Sequence, residues 1–360
     1  MCHLVAGCGP PRVLLRPASM NPTAAARTLE LLYGSPLDVV SSCLRGMITA
    51  APGHELLAAD FANIEGRGLA WLAGEEWKLQ AFREYDAGTG PDIYKLSAAK
   101  IYHCALADVT KDQRQVGKVS ELACGYQGGV GAFQMMAKVY NVKVPDPLAD
   151  EIKTAWRSAH PKTVSYWYDV NSAAEYALQN PGATVSAGAR GREVKFKVKG
   201  SFLWCLLPSG RMLCYPYARL DTAYTLRLAT GNIRKMSKRA VEKDGIPEGA
   251  TIEREDQNCQ FYMTVDGMSN KWVETDTYGG KRVENITQAI CRDLLAAALV
   301  RCEKAGYPVV LHVHDEVVSE MPIGTGDLKK FELLCAETPA WAAGLPVTAA
   351  GWVGRTYRKG

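Results

Sequence analysis

The stretch VVLHVHDEVVSE, residues 309–320, is apolar on both sides of a short polar centre. That pattern predicts a β-hairpin whose tight turn carries His314, Asp315 and Glu316. Just upstream, a helical pattern over about Val283–Lys304 ends at Gly306, with Pro308 beyond it. Far upstream, ELLAAD (55–60) reads as a buried strand leading into an amphipathic helix, Ile64–Ala73, stopped by Gly74. Between these ends, residues 76–176 are helix-rich. The character changes near Pro181-Gly182. EVKFKVK (193–199) alternates Val194, Phe196 and Val198 with Lys195, Lys197 and Lys199, a period-2 strand with one basic face. SFLWCLLPSGRMLCYPY (201–217) reads as two strands around a Pro208–Gly210 turn. The first 20 residues are Pro/Gly-rich and read as irregular; a short helix, Ala24–Tyr33, follows and stops at Gly34.

With 47% hydrophobic and 22% charged residues over 360, the composition excludes disorder and collagen-like repeats and allows about two domains. The net charge of +4 permits a nucleic-acid partner without arguing for one. No uncharged apolar run of about 18 residues could span a bilayer, and the N-terminus lacks the basic n-region of a signal peptide. The 11 cysteines show no C-x-x-C spacing and sit singly in apolar runs (Cys43, Cys124, Cys214, Cys291, Cys302), as buried reduced thiols of a cytoplasmic protein do.

Three constellations carry chemistry. Asp60 ends a strand in DFANIEGRGLAWLAGE (60–75), where it either presents a reactive group or caps the following helix. Asp315 and Glu316 are adjacent carboxylates on a turn, either solvated or bound to a cation. Mg²⁺ takes one or two carboxylates and leaves its other positions to water and substrate phosphates. The third is the helix DQRQVGKVSELACG (112–125), where Arg114, Lys118 and Leu122 form one drifting stripe with Glu121 and Gly125 beside it. Like charges at i,i+4 and two interior glycines, Gly117 and Gly125, disfavour the isolated helix. Either this face is simply exposed and basic, or a triphosphate lies beside Arg114 and Lys118 with a base over the later turns, which would account for the glycines. Two separated carboxylate positions and an Arg/Lys helix are together the parts of a two-metal phosphoryl-transfer site.

Asp60-Phe-Ala-Asn-Ile-Glu65-Gly-Arg67 resembles motif A of family A DNA polymerases, the DNA polymerase I type. Arg114-x-x-x-Lys118-x-x-x-Leu122-x-x-x-Tyr126 resembles their motif B, the fingers helix that grips the nucleotide. His314-Asp315-Glu316 between apolar strands resembles motif C, and the order A, B, C is that of the family. SSCLRGMI, PDIYKLSAAKIY, LPSGR, YGGKRVENITQAICRDLL and TPAWAAGLPV resemble phage members, so the likeness covers about residues 35–360.

The resemblance implies an α/β (α+β) fold. An antiparallel palm sheet with packed helices, from about 35–75 (motif A) and 276–360 (motif C), would be interrupted by a mostly helical fingers region, about 76–275, with a β-rich insertion near 181–220. Residues 1–34 would be an irregular remnant, with Arg16 echoing a template-contacting stretch. The thumb and 3′–5′ exonuclease domains would be absent, lost by truncation or supplied by another chain. The implied activity is template-directed DNA synthesis from dNTPs without proofreading. Asp60 and Asp315 would hold two Mg²⁺ ions, assisted by the Phe61 carbonyl and Glu316. One ion would acidify the primer 3′-hydroxyl; the other would bind the triphosphate and stabilise the leaving pyrophosphate.

By the same resemblance, Arg114 and Lys118 would contact the phosphates, and Lys118 would protonate the leaving group. Tyr94 stands where many relatives carry a phosphate-touching His. Tyr126 would lie by the nascent pair, and Leu122 occupies the nucleotide site where relatives carry Phe or Tyr. Glu65 matches the steric gate that closes against a ribose 2′-hydroxyl. Gln288 and Arg292, one turn apart, match contacts to the primer-template minor groove, a polar surface stripe being the other reading; Arg67 and His314 are also expected at the DNA. Lys195, Lys197 and Lys199 either track phosphate backbone or guard an edge strand against aggregation. His312 and His314 read as packing and positioning residues rather than a metal pair. Primer-template DNA and dNTPs would be the partners, with no membrane, in the cytoplasm of a bacterial host of a phage or prophage. Two rivals stand beside this reading: a catalytically inactive DNA-binding remnant, and a single-subunit RNA polymerase, against which Glu65 argues.

Overall fold

The computed structural model describes residues 22–358; residues 1–21, with Arg16, lie outside them, and the end of the 1–34 stretch expected to be an irregular remnant is instead helical. Helices α1 (Pro22–Tyr33) and α2 (Pro36–Met47) come first. Ser35 caps α2 by accepting from the Asp38 N–H, and Pro36 fits the first helical turn, where its missing N–H costs nothing. β1 (His54–Phe61) leads into α3 (Ile64–Ala73), closed by Gly74 in the left-handed conformation at φ 73°. Then come α4 (Glu76–Asp86), α5 (Ile93–Tyr102), α6 (Lys111–Cys124), α7 (Val130–Val139), α8 (Asp146–Ala159) and α9 (Pro161–Gln179). The strands β2 (Thr184–Ala187), β3 (Val194–Lys199), β4 (Phe202–Leu206), β5 (Met212–Pro216), β6 (Arg219–Arg227) and β7 (Ile233–Ser237) follow. After them lie α10 (Lys238–Asp244), β8 (Thr251–Val265), β9 (Trp272–Thr277) and the long α11 (Gly279–Lys304). β10 (Val309–Val313), β11 (Glu316–Pro322), α12 (Leu328–Ala336) and β12 (Ala349–Gly354) complete the chain.

The chain divides into two compact units. Met1–Ala62, Leu295–Glu337 and Thr348–Gly360 make the first; Asn63–Leu294 and Thr338–Val347 make the second. In the first unit the sheet order is β10-β11-β1-β12, all antiparallel. β1 is an interior strand, and Leu56–Ala59 are buried without a break, which is why its sequence reads as an apolar run rather than an alternation. Leu56, Ala58, Val318, Trp352 and Tyr357 form the core here, with Leu311 and Val313 packed against them.

The second unit combines the helices α3–α9 with two antiparallel sheets, β2-β3-β4-β5 and β7-β6-β8-β9. Strands therefore continue well past the stretch 181–220 where the sequence signals them. Residues 251–259 of β8 are mostly exposed on both faces, so no in-and-out alternation marks that strand. Cys43, Cys124, Cys291 and Cys302 are buried free thiols, as expected, but Cys214 is exposed because it faces outward from β5. No helix among the described residues is long and apolar enough to cross a membrane.

Candidate active site

In the first unit, backbone register brings the candidate carboxylates together. Asp60 pairs with Glu316 across β1 and β11, and the Phe61 N–H donates to the Asp315 carbonyl at 3.2 Å. Val313 pairs with Glu316, so the β10–β11 turn is the two residues His314–Asp315. His314 adopts φ 53°, left-handed, at the first turn position, where such hairpins ordinarily place Gly. That strain sits directly beside Asp315. Asp60 does not cap α3: Asn63 occupies the cap position, without a side-chain hydrogen bond. Asp60 is exposed and Asp315 half-buried.

Glu316 is already engaged. Tyr357, 3% exposed, donates its hydroxyl to Glu316 Oε2. Burial pushes the Tyr357 phenol up to about 12; the hydrogen bond and charge of Glu316, and more weakly the charge of Asp60, act in the same direction. The phenol is therefore a donor at neutral pH. Among the described residues no three His, Cys, Asp or Glu side chains form a ready-made metal cage. Two hard carboxylates, Asp60 at the end of β1 and Asp315 in the β10–β11 turn, instead fit the donor set of Mg²⁺ when substrate phosphates and water complete its shell. His312 and His314 are both exposed, on the edge strand β10 and its turn, so they are not the packing residues that the sequence leads one to expect.

In the second unit, α6 opens with a capping box between Thr110 and Gln113. Arg114 Nε donates to Asp92 Oδ2 at 3.0 Å, and the other oxygen of Asp92 caps α5 through the Lys95 N–H. The Arg114 guanidinium lies 5.6 Å from the Tyr94 ring centre and the Lys118 ammonium 4.6 Å from that of Tyr140. Burial, then the charge of Glu121, pushes the Tyr94 phenol up to about 12. Tyr126 donates its hydroxyl to Glu65 Oε2 at 2.9 Å; burial and then the Glu65 charge hold that phenol well above its ordinary range. Burial and the Glu65 charge also raise the Glu284 carboxyl. Leu122 is half-buried, and Gln288 and Arg292 are exposed on α11.

Residues 38–194 match DNA polymerase family A. The DNA polymerase of Bacillus phage SP02 is 38% identical over 334 residues, 92% of this chain and 45% of the phage protein. By these two matches the chain is similar to members of DNA polymerase family A. DNA polymerase I of Pseudomonas aeruginosa is 34% identical over 96 residues, 27% of this chain and 10% of that one. The solved POL domain of Pol1 from M. smegmatis, in complex with DNA primer-template and dNTP, aligns at 16% identity with a TM-score of 0.49, over 87% of this chain and 41% of that one. The chain thus spans less than half the length of these relatives.

Some features of the chain depart from its sequence reading. The glycines of α6 do not bare a patch for a nucleotide. A Cβ on Gly117 would lie 2.2 Å from the Tyr94 carbonyl oxygen, so glycine there permits the close crossing of α5 and α6. A Cβ on Gly125 would press on Leu69 Cδ2 at 3.2 Å. Arg67, expected at the DNA, is 1% exposed and held by Asp86 through two bonds of 2.6 and 2.7 Å, with Phe82 under its guanidinium. It braces α3 against α4.

Glu121 is the residue that the motif reading passes over. Its carboxylate is buried and accepts from Lys78, from Ser97 Oγ at 2.5 Å and from Trp156 Nε1 at 2.9 Å. Burial alone would raise its pKa, but the Lys78 charge and the bonds from Lys78 and Ser97 hold it at about 2. His160 stacks on Trp156 with ring centres 3.9 Å apart, and its Nδ1 lies 2.7 Å from the Trp156 carbonyl, which assigns the proton to Nδ1. Burial, then Lys78, lowers His160 to about 3. The ring is therefore neutral at pH 7, and Lys78 is the only cation paired with Glu121 in this cluster. No local signal marks it: at 100° per residue Glu121 falls beside Arg114, away from the buried Val116, Val119 and Ala123.

Proposed function

We propose that this chain carries out template-directed DNA synthesis, adding dNTPs to a primer 3′-hydroxyl. The observation that carries the reading is the presentation of Asp60 and Asp315 at paired strand ends by β1 and the β10–β11 turn. On this reading the palm comes from about residues 35–75 and 276–360, and the helices between them belong to the fingers. Asp60 and Asp315, with the Phe61 carbonyl, would hold two Mg²⁺ ions. Bound there, the ions would supply charge neutralisation of the triphosphate and acidify the primer hydroxyl. Arg114 and Lys118 would orient the phosphates of the incoming dNTP, and Lys118, a protonated amine, is the group that would deliver a proton to the departing pyrophosphate. The Asp92 carboxylate fixes the reach of Arg114.

Glu65, held by the Tyr126 hydroxyl, would exclude a ribose 2′-hydroxyl: a gate pinned by a hydrogen bond cannot swing away cheaply. Glu316 would act less as a ligand than as the anchor through which Tyr357 steadies the motif C strand. Exposed Gln288 and Arg292 would touch the primer-template duplex. No DNA contact is assigned to Arg67, and no proofreading to any of these residues.

The test is single-nucleotide extension of a labelled primer-template by the chain with Mg²⁺ and either dNTPs or rNTPs. The expected result is dNTP-dependent extension with rNTPs strongly disfavoured. DNA binding without extension would instead identify an inactive remnant, and preferential use of rNTPs an RNA polymerase.

A further inference from the structure

α9 packs against β2 and β3 of the sheet β2-β3-β4-β5. Val194, Phe196, Leu203 and Cys205 are buried, whereas Lys195, Lys197 and Lys199 are exposed. β3 is not an edge strand; it pairs with β2 on one side and β4 on the other. Charge on an interior strand does nothing to block edge-to-edge pairing, so protection against aggregation does not explain these lysines. The register sets Lys199 opposite Phe202, Lys197 opposite Trp204 and Lys195 opposite Leu206, and opposed residues share a face. A column of cations spaced by roughly 6.8 Å therefore runs beside a column of two aromatic rings and a leucine. The Phe202 ring centre lies 5.8 Å from that of Trp204 and 5.9 Å from that of Tyr217, which is 54% exposed. The lysines, Phe202, Trp204 and Met212 line a groove of about 720 Å³ that contains no carboxylate. None of the three lysines makes an ion pair among the described residues.

We propose that this face binds single-stranded DNA, with bases stacked on Trp204 and Phe202 and phosphates along Lys195, Lys197 and Lys199. Unpaired cations around a groove without carboxylates match a polyanion. The half-buried rings of Phe202 and Trp204 beside them, with exposed Tyr217, find stacking partners only in unpaired bases, which a duplex keeps inside its own stack. The platform goes beyond the proposed synthesis, because it would hold an unpaired strand whether or not the chain extends primers.

The test measures binding of the whole chain to a labelled dT oligonucleotide of about 12 nucleotides and to a duplex of equal length, across salt concentrations. The variants are Trp204→Ala and the triple substitution Lys195→Gln, Lys197→Gln and Lys199→Gln. Each single-strand phosphate contact adds about 0.7 to the salt slope, so the triple variant should flatten it by about 2. Trp204→Ala should weaken single-strand binding roughly tenfold and leave duplex binding unchanged. Parental single-strand affinity and slope in both variants would overturn the proposal, as would an equal loss of duplex binding in Trp204→Ala. Should Trp204→Ala disturb the sheet by circular dichroism, the lysine variant decides together with photocrosslinking of 5-iodouracil DNA to the parent chain. Crosslinks at Trp204 or Phe202 support the platform, and crosslinks confined to other residues overturn it.

Discussion

At the end of the first unit's sheet, Asp60 and Asp315 are presented by backbone register, and Glu316 beside them is tethered by a phenol. On α6 of the second unit, the charges are sorted by what the helix buries. Arg114 and Lys118 lie on its accessible side against tyrosine rings, while Glu121 is sunk among Lys78, Ser97 and Trp156. The difference teaches that a charged residue inside a motif is not thereby a ligand group. Strand-end carboxylates at a surface lie where a cation and its phosphates can reach them. A carboxylate enclosed by protein donors has already spent its oxygens on holding helices together.

The largest expected effect breaks the comparison on its chemical side. Asp60→Ala or Asp315→Ala should slow single-turnover extension on the order of 10³-fold or more, with primer-template affinity largely kept. Lys118→Ala should follow at about 10²–10³ in rate, again with binding retained in a gel-shift assay. On the structural side, Glu121→Gln should cost roughly 3–5 kcal/mol in urea unfolding, because it leaves the Lys78 ammonium buried without its partner. The pH dependence sharpens this. In the folded chain His160 stays neutral down to about 3, so stability falls as pH drops below 6.5 and the unfolded imidazole takes its proton. Glu121 is depressed to about 2, so its contribution is present above 4.5 and is lost below it. Acid unfolding should begin below pH 6.5 and steepen below 4.5, and Glu121→Gln should blunt the second limb. The smallest effect is Gly117→Ala, about 1–3 kcal/mol from forcing α5 and α6 apart, read as a lowered Tm.

Much of this was legible. β1, the motif C hairpin and α3 carry local patterns with period and punctuation in register, so spacing alone locates them. The ordered motifs then name the carboxylates and the basic helix. What was not legible depends on partners distant in sequence. Nothing near Gly117 reveals that Tyr94 approaches it, and nothing near Arg67 reveals Asp86. The Glu121 cluster draws Lys78, Ser97, Trp156 and His160 from four different segments. β8 escaped for the opposite reason: TIEREDQNC is solvated on both faces and leaves no alternation to read. The lysines of β3 were visible as a basic face, but only the pairing with β4 shows that the strand is interior and that Trp204 and Phe202 stand beside them.

The strand-end carboxylates are proposed to do the chemistry and the buried carboxylate on α6 only to hold helices together. Single-turnover incorporation of one dNTP, measured for Asp315→Asn and Glu121→Gln at a temperature where both remain folded, tests this directly. Asp315→Asn should collapse the rate with an unchanged Tm, and Glu121→Gln should keep a near-parental rate with a lowered Tm. A parental rate in Asp315→Asn would contradict the proposal.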